Sequence, residues 1–174
     1  MSGSSFASRG LATVLVIAAS QPYSQIFDKP ESLDGFVFSD PAAWRWRDGS
    51  LELFQQSNYK PAHRSPLNIA LLGDRQYGSF TLEADLMQTG QEYGHRDMCL
   101  FFNFVDPDHY YYAHIATATD DHAHNIFIVN GADRKKISTT TTKGHDWGKE
   151  KWHKVKIVRD VDTGVIVFKV DTSY

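Results

Sequence analysis

Between residues 77 and 170 the chain repeats one pattern, short runs in which apolar and polar side chains alternate, separated by turn-forming residues. A period of two sends successive side chains to opposite faces of a strand, so each run can bury one face and wet the other. Phe80, Leu82, Ala84 and Leu86 fall on one face, with Thr81, Glu83 and Asp85 on the other. Residues 99–105 and 109–116 flank Asp106-Pro107-Asp108, a turn-forming trio. Residues 126–129 run into Asn130-Gly131, and 152–159 and 165–170 flank a turn at 160–164. No stretch carries the 3.6-residue period of an amphipathic helix. Short, regularly spaced strands with turns between them predict an all-β chain, an antiparallel β-sandwich or barrel.

The N-terminal part is less regular. Trp44-Arg45-Trp46-Arg47, Asp48-Gly49 and Ser50-Leu51-Glu52-Leu53-Phe54 read as a hairpin, because Asp-Gly favours the positive-φ turn that matches strand twist. A short strand is expected at Phe36-Val37-Phe38, and Pro61 and Pro66 bracket a loop before the apolar run 67–72. Residues 1–20 have the features of an export signal. Arg9 precedes an apolar run at 11–19 that is too short to span a bilayer, and Ala18 and Ser20 offer the small side chains that a signal peptidase needs. The expected mature chain begins near Gln21, is secreted or periplasmic, and has no membrane span. A buried N-terminal strand is the competing reading of the same run.

At 174 residues, 41% hydrophobic and 22% charged, the composition is that of one globular domain. The net charge of -3, with no basic run longer than Lys135-Lys136, argues against a nucleic-acid partner. Cys99 is the only cysteine, so no intrachain disulfide can form, and its apolar neighbours suggest a buried, inert thiol.

Tyr110, Tyr112 and His114 share one face of the central strand, and Tyr111, Ala113 and Ile115 share the other. The second set is core. The first offers aromatic rings with polar tips, which suit a sugar's apolar C–H patches and its hydroxyls. His95, Arg96 and Asp97 lie in the loop before Cys99, while Asn130 and Arg134 lie at the end of the next hairpin. Together these eight residues make a candidate carbohydrate site. The alternative is that the tyrosines pack between layers with their hydroxyls at the rim. Either Phe102 and Phe104 or Phe101 and Asn103 share the tyrosine face, depending on register. A second cluster, Asp120, Asp121, His122 and His124, could place two imidazoles on one side of an extended segment and so hold a metal. A polar loop is the plainer reading of that cluster.

Two segments carry a family resemblance. Tyr77-Gly78-Ser79-Phe80-Thr81-Leu82-Glu83-Ala84 resembles a strand of concanavalin A-like jelly rolls. That superfamily includes laminin G-like domains, 3-keto-disaccharide hydrolase-type domains and family-16 glycoside hydrolases. Trp152-His153-Lys154-Val155-Lys156-Ile157-Val158-Arg159, with the turn and strand after it, resembles the hairpin of the same fold. The resemblance covers roughly residues 36–174. It implies a jelly-roll domain over 21–174, lacking the last strand or strands that usually succeed this hairpin, and it implies calcium as the ion. The function it implies is a secreted carbohydrate-binding module associated with polysaccharide or glycoside breakdown. One alternative is a glycoside hydrolase or lyase using His114 or His95 with Arg96 and Asp97 as acid–base groups. The other is a laminin G-like adhesion module with a protein partner. The family-16 carboxylate set E-x-D-x-x-E is not present, since Glu83-Ala84-Asp85-Leu86-Met87-Gln88 ends in a residue that cannot ionise. No G-x-S-x-G elbow occurs either.

Overall fold

The alternating runs become strands, as their period requires. The computed structural model describes residues 10–18, 21–73, 76–93 and 96–171. Its strands are β1 (Gly10–Ala18), β2 (Gln21–Ser24), β3 (Phe36–Phe38), β4 (Trp44–Arg47), β5 (Ser50–Leu53), β6 (Ala70–Leu72), β7 (Phe80–Gln88), β8 (Met98–Asp106), β9 (His109–Ile115), β10 (Asn125–Asn130), β11 (Lys135–Lys136), β12 (Trp152–Arg159) and β13 (Ile166–Val170). The fold is all-β, and the paired strands run antiparallel. The largest sheet has the order β13-β12-β7-β1-β5-β4, with β2 also paired to β1. A second sheet runs β11-β10-β9-β8, and β3 pairs with β6 as a separate ribbon.

The main core lies between the two large sheets. Phe80, Leu82, Ala84 and Leu86 from β7 and Val155 and Ile157 from β12 meet Leu100 and Phe102 from β8, Ala113 and Ile115 from β9 and Ile126 from β10. Burial along β7 alternates without a break from Phe80 to Gln88. A fully buried side chain such as Leu86 or Ile157 contributes roughly 1.5–3 kcal/mol. Trp147, fully buried, adds the largest side chain to this core from the loop before β12.

The turns obey their chemistry. Asp48 and Gly49 have φ of 48° and 76°, the two left-handed positions that the hairpin between β4 and β5 needs. Residues 11–18 of the apolar run, expected to belong to an export signal, lie in β1. That strand pairs with β7 from Gly10↔Gln88 to Ala18↔Phe80 and with β5 on its other edge. At the opposite edge of the sheet β13 pairs with β12, and Val165 and Val167 are exposed. Among the described residues no helix is long and apolar enough to cross a membrane.

The β8–β9 hairpin departs from both expected registers. Phe101 faces Tyr112 and Phe102 faces Tyr111, but the pairing then slips between Phe102 and Asp106. Asn103 takes a left-handed φ of 50°, and four steps on β8 oppose two on β9, so the alternation breaks within 103–106. Phe101 and Phe104 therefore share the tyrosine face, where Phe104 stacks on Tyr110, and Phe101 stacks on Tyr112 and meets Tyr110 at a tilt.

Candidate functional site

The outward face of the second sheet is a small core of its own. Tyr110, Tyr112, Phe127 and Val129 are buried there against Cys99, Phe101 and Phe104. Tyr110 is 2% exposed and Tyr112 0%, so the expected open aromatic surface is closed. Loop 59–66 is tied down beside it. The Arg64 amide donates to Asp133 Oδ1 (2.8 Å), the Arg134 amide donates to the Arg64 carbonyl (3.1 Å), and His63 meets Asp108 (3.4 Å). Burial, opposed by the Arg134 guanidinium, pushes the Tyr112 phenol up. The two tyrosines pack between layers, which is the plainer of the two sequence readings.

Polar groups gather at the Tyr112 end of this face. The Arg134 guanidinium donates to the Tyr112 hydroxyl (3.2 Å) and to the His122 carbonyl (3.0 Å), and it lies 5.1 Å from the Phe127 ring centroid. That placement combines a cation–π contact with two donor bonds. His114 faces the same His122 carbonyl through Nδ1 (3.0 Å), while its Nε2 lies 2.7 Å from Asp97 Oδ2. Both partners of the ring are hydrogen-bond acceptors. Asp97 is held from behind, where the Gln88 side chain donates to its carbonyl at 2.8 Å.

This corner opens into a cleft of about 1690 Å³ along β8, which is the edge strand of its sheet among the described residues. Asp97, His114, His122 and Arg134 supply polar lining, and Leu71, Leu72, Phe101 and Phe104 supply apolar lining. Tyr93 also lines the cleft and is 52% exposed. Burial and the Asp97 carboxylate push its phenol up, in keeping with its place beside that residue. Asp97 Oδ1 and Arg134 Nε are buried, and among the described residues neither has a hydrogen-bond partner. Cys99 lines the same cleft, and burial, then Asp97, pushes its thiol well up, which leaves it a poor nucleophile.

The structure thus brings Tyr110, Tyr112, His114, Asp97 and Arg134 together and separates Arg96 and Asn130 from them. Arg96 is 3% exposed and points to the loop before β12, donating to the Gly148 carbonyl at 2.6 Å. Asn130 is exposed opposite His109, at the far end of β9 from His114, about 17 Å away by strand rise. His95 lies outside the described residues. Tyr93 escaped the sequence reading, although it is the one aromatic residue in the polar stretch 90–97.

The cluster at 120–124 does not converge either. Asp121 pairs with Lys136, and Asp120 Oδ1 accepts the His122 amide (2.6 Å). His124 has a φ of 54°, which breaks the extended geometry that would have aligned its ring with that of His122. The His124 ring is buried, with Nδ1 accepting the Ala116 amide (3.3 Å) and Nε2 against Thr142 Oγ1 (2.8 Å). Among the described residues one His/Asp group does have its ligand atoms within 4.8 Å of one another, and it consists of His145, His153 and Asp171.

Fold and cleft together define an all-β protein of two facing antiparallel sheets, with a large cleft of mixed apolar and polar lining beside β8. Comparison with protein-family models, with curated proteins and with solved structures found no match.

Proposed function

We propose that this chain binds carbohydrate in the cleft beside β8, as an exported module of the concanavalin A-like jelly-roll type. The observation that carries the reading is the gathering of Asp97, His114, His122 and Arg134 in one cleft beside the exposed Tyr93. Vicinal sugar hydroxyls supply a donor and an acceptor side by side, and the apolar face of the same ring can lie on the exposed Tyr93. A mostly apolar pocket with a few fixed polar groups is the usual form of a small-molecule site. Export belongs to this reading through the sequence of residues 9–20 alone.

The hydrogen-bonded Asp97–His114 pair favours a second reading, a glycoside hydrolase or lyase in which His114 exchanges the proton. A histidine general acid or base is suited to neutral pH. A glycan array read beside a reducing-end release assay tests both. Binding without release, lost in Tyr93→Ala, supports the module; release that disappears in His114→Gln supports the enzyme. Silence in both assays removes the carbohydrate reading.

A further inference from the structure

A second cluster of chemistry lies on the far side of the loop that Arg96 anchors, and it owes nothing to the carbohydrate reading. His145 stands in the loop before β12, His153 is the second residue of β12, and Asp171 comes immediately after β13. His145 Nε2 lies 2.9 Å from His153 Nδ1, Asp171 Oδ2 lies 2.5 Å from the same Nδ1, and Asp171 Oδ2 lies 3.8 Å from His145 Nε2. We propose that these three side chains form a binding site for one divalent transition-metal ion of the zinc type, through His145 Nε2, His153 Nδ1 and Asp171 Oδ2.

Hydrogen bonding carries the assignment. His153 Nε2 faces the Trp147 carbonyl at 2.8 Å and must donate to it. With Nε2–H committed to that carbonyl, Nδ1 is the ring nitrogen that faces a carboxylate oxygen and the second imidazole. A single proton can serve two of these three atoms, whereas a dipositive ion serves all three. Carbonyl contact at the remote ring nitrogen is the usual outer support of a metal-bound histidine, because it fixes the tautomer and the ring plane. Asp171 has equivalent support, since its Oδ1 accepts the Lys154 amide at 2.8 Å. Two imidazoles and a carboxylate form a nitrogen-rich set that suits zinc-class ions rather than calcium. Ligands bound at 2.0–2.1 Å in a tetrahedron stand roughly 3.3 Å apart, a spacing that the observed contacts bracket. Three protein ligands leave the fourth position for solvent.

The backbone is bent to deliver these groups. Asp171 sits at φ 50° and Glu150 at φ 51°, where non-glycine residues are strained. Gly144 has φ 114°, and a Cβ there would stand 2.2 Å from the Thr117 carbonyl oxygen, so only glycine lets the His145 amide reach the Ala116 carbonyl (2.8 Å). The buried Trp147 indole stands edge-on to both imidazoles, with centroids at 4.9 and 5.4 Å. Left-handed backbone thus recurs in the segments that carry His145 and Asp171.

The test is calorimetric titration of Zn²⁺ into the full chain after chelator treatment, with Co²⁺ absorption as a spectroscopic report of coordination. The expected result is one ion per chain, a visible four-coordinate Co²⁺ spectrum, and a higher melting temperature with Zn²⁺ bound. His145→Ala and His153→Ala should each weaken binding by more than about tenfold. His109→Ala, at an exposed residue paired with Asp106, should leave it unchanged. If His153→Ala fails to fold, His145→Ala still decides, because that ring is only partly buried; far-UV circular dichroism checks its fold. Absence of stoichiometric binding by the wild-type chain, or equal affinity in a folded His145→Ala, overturns the proposal.

Discussion

Tyr112 shows how far one side chain's surroundings can invert its expected role. Its ring stacks on Phe127 at 5.3 Å and on Phe101 at 5.6 Å, and its hydroxyl accepts from Arg134. Truncating such a buried aromatic costs about 3–5 kcal/mol, so Tyr112→Ala should unfold far more readily in urea. Tyr112→Phe, which loses only one hydrogen bond, should cost about 1 kcal/mol. Equal stabilities for the wild type and Tyr112→Ala would contradict this packing. His124 supplies a second prediction at this scale. Burial, with the neighbouring His145 and His114, holds its pKa below the ordinary 6.5. A depressed folded-state pKa means that the unfolded chain binds the extra proton first. The His124 contribution to stability is therefore present above pH 6.5 and is lost as pH falls from there through the lower folded-state value. Melting temperature measured against pH should decline across that window, and less steeply in His124→Gln; identical slopes would refute the assignment. The side-chain alternation around Tyr112 was legible because parity is local. Its burial was not, because loop 59–66 is joined to this face by long-range contacts such as Arg64 to Asp133.

Strands declared themselves in the sequence wherever one face met core and the other met water. β7 and β12 alternate cleanly, and the β4–β5 hairpin announces itself through Asp48-Gly49. The β8–β9 irregularity was hidden, since a register shift leaves no mark on composition and only pairing reveals the break between Phe102 and Asp106. β1 was ambiguous for a different reason. A short apolar run ending in small residues suits both a signal peptide and a buried central strand, and the two uses exclude each other once cleavage occurs. Removal of residues 1–20 would uncover the facing edges of β7 and β5, long rows of backbone donors and acceptors open to another chain. The chain 21–174 is accordingly expected to melt earlier than 1–174 and to sediment as self-associated species at equal concentration. A stable, monodisperse 21–174 would show that the remaining strands close this sheet without β1, and terminal sequencing of exported material then reports which form cells retain.

At the scale of the whole molecule, two facing sheets are not enough to make a function. The cleft arises where β8 ends its sheet and Tyr93, Asp97, Asp120, His122 and Arg134, from separate loops, come together with His114. The sequence supplied His114, Asp97 and Arg134 as candidates because they flank the central hairpins. It could not show that Arg96 and Asn130 point elsewhere, since loop direction is set by tertiary packing. The central claim is that the polar end of this cleft receives a sugar, and ligand mapping by nuclear magnetic resonance tests it most directly. Amide shifts of the ¹⁵N-labelled full chain, titrated with oligosaccharides identified on an array, should cluster at Tyr93, Asp97, His114 and Arg134 and along β8, and should vanish in Asp97→Asn with the remaining spectrum intact. Shifts that cluster on β13 or around Asn130, or that survive unchanged in Asp97→Asn, would contradict the account.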